Sequence, residues 1–131
     1  MKIKFTQKPC SDAKQWLDTQ PDIETAWKRC PRGDWMWWTL MHLDDQYPSK
    51  ILSVEFANWC AERGKKHSAR AAAYAAYAAD AADAAADAAY AADAAADAAY
   101  AAYAAAHAAE RLAQADWIRE HIQCPVVEVI A

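Results

Sequence analysis

Five aspartates are the residues of this sequence best placed to do something chemical. Asp80, Asp83, Asp87, Asp93 and Asp97 recur every three to six positions, and between Arg70 and Arg111 there is no lysine or arginine. Carboxylates repeated in this way can act as paired acids, as ligands of a divalent ion, or as a one-sign electrostatic field. Acid–base catalysis needs partners that are absent: no nucleophile, base and oxyanion donors assemble from the sequence. No Gly-rich phosphate loop is possible with two isolated glycines, and neither a nucleophile elbow nor a His-Glu-x-x-His pattern occurs. Asp83/Asp87 and Asp93/Asp97 could hold a divalent ion only loosely, because carboxylates on an open helix leave most of the coordination shell to water. His107 and Glu110 have a spacing found in metal sites but lack further ligands, and read as a surface pair. The sequence therefore predicts no catalytic residue, no metal and no cofactor, and a protein that binds rather than catalyses.

The element that must position these aspartates is unusual. Residues 71–109 contain 28 alanines in 39 positions. Alanine is the best helix former, so one long helix is expected over 67–122, straight or bent. A ten-residue unit occurs twice, from Asp83 and again from Asp93. With Tyr74 at zero on a wheel of 100° per residue, Asp80, Asp83 and Asp87 fall at roughly 240°, 180° and 220°, and Asp93 and Asp97 near 100° and 140°. The five carboxylates share one broad face with Tyr90 in its middle. Tyr74, Tyr77 and Tyr103 take the other side. Asp80 to Asp97 would span about 25 Å at 1.5 Å per residue. Aspartate is a mediocre helix former, and like charges four apart cost a few tenths of a kcal/mol per pair. The arrangement thus gives up stability for a field that can attract a positive surface. A plain alternative is that aspartate only solvates the wet face of an alanine helix.

The rest of the chain supplies the body on which that helix rests. Its 131 residues fit one domain, with a Trp-rich helical part over 1–66. Ser11-Asp12 can cap a short helix through Trp16 and Leu17. Pro21 and Asp22 open a second helix to Cys30, ended by Pro31-Arg32-Gly33. Asp34 is expected to cap Trp35 to Leu43, which is apolar nearly all round and suits a central buried helix. Pro48-Ser49 opens a fourth, with Leu52, Phe56, Trp59 and Cys60 on one face and Gly64 at its end. Pro125 stops the alanine-rich helix near His121. Residues 125–130 read as a strand able to pair with Lys2-Ile3-Lys4-Phe5. The fold class expected is mainly α, a compact helical bundle with one long Ala-rich helix and a small two-stranded pairing of the N- and C-terminal segments.

The formal net charge is −4, which argues against direct nucleic-acid binding and toward a basic partner. Cys10, Cys30, Cys60 and Cys124 lie far apart and read as reduced, mostly buried thiols. No secretory leader is visible, and aspartate interrupts every apolar stretch, so a cytoplasmic protein off the membrane is expected.

Residues 26–38, Ala-Trp-Lys-Arg-Cys-Pro-Arg-Gly-Asp-Trp-Met-Trp-Trp, resemble the Cys-x-Arg-Gly-Asp-Trp segment of a family of phage and bacterial proteins labelled as immunity proteins. Asn58-Trp59-Cys60-Ala61, the Ala/Tyr-rich helix and the segment Ala115 to Ile122 follow in that family's order. The resemblance implies inhibition of a toxin by binding and carries no catalytic chemistry. Family members place arginine along the alanine helix as often as acid, so this chain departs in carrying only aspartate there. Small acidic phage proteins also resemble anti-CRISPR inhibitors, several of which imitate DNA. On that footing the partner would be a protein with a basic nucleic-acid-binding surface, such as a CRISPR effector subunit in the host cytoplasm. Asp80, Asp83, Asp87, Tyr90, Asp93, Asp97 and Tyr100 would form the contact. Toxin neutralisation through another surface, and a purely structural helix, are the competing expectations.

Overall fold

A computed structural model describes residues 1–43, 48–64, 85–100 and 104–130. Among them are six helices: α1 (Ser11–Asp18), α2 (Ile23–Arg29), α3 (Gly33–His42), α4 (Lys50–Gly64), α5 (Ala85–Tyr100) and α6 (Ala104–His121). The protein is mainly helical and compactly packed, as its composition predicts.

Local chemistry explains two of the helix starts. Asp22 accepts a hydrogen bond from the Thr25 amide at 2.7 Å and caps α2. The Ser49 hydroxyl accepts from the Leu52 amide at 3.1 Å and begins α4. Each cap satisfies one of the orphan donors of a first turn. Two starts differ from expectation. At α1 the cap position is Cys10 and no side chain caps it. At α3 the helix begins at Gly33 with Arg32 in the cap position. Asp34 accepts two hydrogen bonds from Arg32, of 2.8 and 2.7 Å, so its oxygens are engaged by a guanidinium.

Gly33 starts α3 where it does because α6 crosses there. A Cβ on Gly33 would lie 2.5 Å from the Gln114 Cβ and 2.8 Å from the Ala115 amide nitrogen. Only glycine admits such a crossing. The core follows from it. Trp37 stacks on Phe56 with ring centroids 4.5 Å apart, and Phe56 meets Trp117 at 5.0 Å. All three are buried, together with Met36, Leu40, Cys60 and Ile118. Aromatic side chains bury the most apolar area per residue, which is how a chain so rich in alanine builds a core.

Of the helix expected over 67–122, straight or bent, residues 67–84 and 101–103 lie outside the described residues, and the described parts are two helices, α5 and α6. These fold back on each other. Arg111 donates to the Asp93 carboxylate at 2.6 Å, and Gln114 donates to the Ala92 carbonyl at 2.9 Å. In one straight helix those pairs would stand roughly 27 and 33 Å apart. They are centred on residues 102–103, as in an antiparallel hairpin. Burial decides the outcome: a straight rod exposes its alanines, whereas the hairpin buries Ala88, Ala91, Ala92, Ala95 and Ala96. Each methyl contributes under about 1 kcal/mol, but α4 answers with small residues of its own, Ser53, Ala57 and Ala61 at intervals of four. Small residues on both sides let the backbones approach closely.

The termini come together but form no strand among the described residues. One antiparallel bridge joins Ile3 to Val129, with Lys4 N–H donating to the Glu128 carbonyl and Ile130 N–H to the Lys2 carbonyl. The expected two-stranded pairing is therefore reduced to one bridge. Val126, Val129 and Ile130 are exposed, so no buried face holds a longer ladder together. No described helix is long and apolar enough to cross a membrane.

Candidate protein-binding face

α5 presents two unlike sides. Its alanines at 88, 91, 92, 95 and 96 are buried against α4, α3 and α6. Tyr90, Asp93 and Asp97 are exposed, as is Ala86. Positions 86, 90, 93 and 97 lie within roughly 60° of one another on a 100° wheel. Three of the expected contact residues are therefore brought together, pointing away from the core. Tyr90 is 70% exposed, which is uncommon for a side chain that size without a partner.

The other expected residues divide. Asp80 and Asp83 lie outside the described residues, as do Tyr74, Tyr77 and Tyr103. Asp87 and Tyr100 belong to α5, but their side chains are likewise outside the description.

Asp93 differs from the expectation of an unopposed row. It pairs with Arg111, whose guanidinium also donates to Gln114 at 3.0 Å and sits 3.8 Å from Asp34. Arg111 is buried while the Asp93 side chain remains 54% exposed. The carboxylate thus faces outward with part of its charge already answered from behind. Desolvating a guanidinium is costly unless anions surround it, and Asp93 and Asp34 supply them. No cation pairs with Asp97 among the described residues.

Asp34 joins this network from α3. Burial pushes its carboxyl up, but the Arg32 hydrogen bonds and the nearby Arg111 charge prevail, and its pKa is lowered below the ordinary carboxylate value. A second ion pair lies deeper. Glu110 is buried and accepts two hydrogen bonds from the Arg63 Nε at 2.8 and 2.9 Å. Glu110, expected at the surface beside His107, is instead buried, an internal anchor between α6 and α4. Nothing in the alanine pattern marked Arg63 as its partner, 47 residues away.

The residues of the Arg-Gly-Asp-Trp segment have structural work. Arg32 is bound to Asp34 and lies over the Trp35 ring at 4.6 Å, and Gly33 permits the crossing with α6. No described group of three His, Cys, Asp or Glu side chains could hold a metal ion. The four cysteines are free. Cys30 and Cys60 are buried, Cys124 half-buried and Cys10 exposed. Comparison with known proteins finds no matching family model, no matching curated protein and no matching solved structure.

Proposed function

We propose that this chain is a small binding inhibitor, without catalytic activity, that docks the outer face of α5 on the basic nucleic-acid-binding surface of a partner protein. The partner class it suits best is a CRISPR effector subunit met by a phage anti-CRISPR that imitates DNA. One observation carries the reading: Tyr90, Asp93 and Asp97 project together from a helix whose opposite side is locked in the core. A fixed helix holds its carboxylates in place before contact, so little ordering entropy is lost on binding. Tyrosine beside them adds contact area at small entropic cost. Proteins that grip nucleic acid take much of their affinity from backbone charge, which makes a row of carboxylates a credible competitor. Arg111 tempers the row at Asp93, and the outward charge of the described part rests most on Asp97.

The test is phage plating on a CRISPR-immune host expressing the protein, with Asp83→Lys, Asp87→Lys and Asp97→Lys combined. Asp93 is left intact because reversing it would unseat Arg111. The proposal expects the unaltered protein to restore plating and the triple variant to lose that effect while its helical circular dichroism and melting stay unchanged. Binding should also weaken steeply with added salt. A wild-type protein that leaves immunity untouched, or a folded triple variant that inhibits fully, overturns it.

A further inference from the structure

Beside the face of α5 just described, a cleft of about 400 Å³ opens between α1, α2, α3 and the flank of α5 that carries Ala89, Ala92 and Asp93. We infer that this cleft is a binding site for an uncharged, planar aromatic small molecule.

The walls give the first argument. Trp16, Trp35, Trp38 and Met41 are half-buried and line the cleft, with the buried Trp27, Met36 and Trp37 behind them. Indole faces favour offset or edge-on contact with another ring. Thioethers adapt to its outline and gain from sulfur–aromatic contact. The volume lies within the range of drug-sized ligand sites.

The charges give the second. Four charged side chains line the cleft: Lys14, Arg32, Asp34 and Asp93. Each already has an opposite charge at hydrogen-bond distance. Lys14 holds Asp18 at 2.8 Å, Arg32 holds Asp34 at 2.7 Å, and Arg111 holds Asp93 at 2.6 Å. The charge of the lining is thus largely balanced within the protein, which favours an uncharged ligand.

The third lies in α1. Its apolar side, Ala13, Trp16 and Leu17, faces the cleft, yet none of its residues is fully buried. Trp16 touches Trp35 with ring centroids 6.0 Å apart and goes no deeper. With no side-chain cap and little burial, α1 is the least anchored helix described, and the cleft remains open beneath it. A ring inserted there would complete the burial of α1 from below.

N-phenyl-1-naphthylamine is a suitable probe: it is neutral, aromatic and brightens when removed from water. Titration into the protein should give saturable one-to-one binding, with energy transfer from tryptophan to dye. Ala13→Phe places a ring inside the cleft and should weaken binding by at least about tenfold, with melting temperature unchanged or raised. Should that variant fold poorly, amide correlation spectra of the unaltered protein decide. The indole signals of Trp16, Trp27 and Trp35 should move with the dye, and those of Trp59 and Trp117, which lie outside the cleft, should not. Absence of saturable binding, undiminished binding by folded Ala13→Phe, or shifts centred on Trp59 and Trp117 would each refute the site.

Discussion

Gly33→Ala tests the crossing of α3 and α6 with a single methyl group. The added Cβ would fall 2.5 Å from the Gln114 Cβ and 2.8 Å from both the Gln114 carbonyl carbon and the Ala115 amide nitrogen. Ordinary contacts begin near 3.4 Å, so relief requires the helices to part by close to 1 Å. None of the three opposing atoms can swing aside, because two belong to the backbone and the third is fixed to it. Overpacking of this kind costs about 1–3 kcal/mol, and the immobility of the neighbours places this site at the upper end. The conformational gain of alanine over glycine offsets up to about 1 kcal/mol. A net loss of about 2 kcal/mol remains, which for a chain this long corresponds to a fall in melting temperature of roughly 6–10 °C. Bonds from α6 to the neighbouring end of α2 should loosen too, since Arg119 donates to the Trp27 and Cys30 carbonyls at 3.1 and 2.7 Å. Thermal melts followed by circular dichroism at 222 nm measure the effect. A variant as stable as the parent would mean that the two helices do not approach as described.

The Arg32–Asp34 pair makes stability depend on pH. The Asp34 carboxyl is lowered in the folded state, so its contribution is complete above the unfolded value near 4 and is lost as pH falls through the folded value. Melting temperatures from pH 7 down to pH 2 should drop at the acid end, and Asp34→Asn should flatten that limb while lowering stability at pH 7. The thiols should separate kinetically. Burial raises Cys30 to about 11 and holds Cys60 well above its ordinary value, so a disulfide-exchange reagent at pH 8 should titrate Cys10 quickly and Cys30 and Cys60 only after denaturation; rapid reaction of Cys60 in the native state would contradict its burial. Arg63→Met deprives buried Glu110 of its guanidinium and should cost about 3 kcal/mol, read from urea midpoints, with much of the loss restored when Glu110→Gln is added.

Several elements could be read directly from the chain because short-range chemistry fixes them. Asp22 and Ser49 sit three residues before the amides they cap, and the alanine-rich tail ends at His121, ahead of Pro125. The tryptophan-rich stretch marked α3 as the central helix, and Met36, Trp37 and Leu40 are indeed buried. The hairpin of α5 and α6 was not legible. Ala101-Ala102-Tyr103, between the two helices, holds no glycine or proline, and local propensity favours continuing the helix. The decision belongs to contacts distant in sequence: α4 offering Ser53, Ala57 and Ala61, and Arg111 reaching Asp93. The candidate face was legible in part. Helical periodicity places Tyr90, Asp93 and Asp97 together on any helix, bent or straight. That Asp93 is held from behind depends on the fold-back, which periodicity cannot express.

The fold-back also solves a problem of alignment. Methyl groups make a shallow, nearly uniform surface, and the ten-residue unit is repeated, so one alanine helix could slide along another by a turn with little change in packing. Gln114 on the Ala92 carbonyl and Arg111 on Asp93 are specific where the methyls are not. Slippage by one turn would strand a guanidinium and an amide among hydrocarbon. Those two side chains act as pins that give a featureless seam a single setting, and so fix which residues α5 turns toward the solvent.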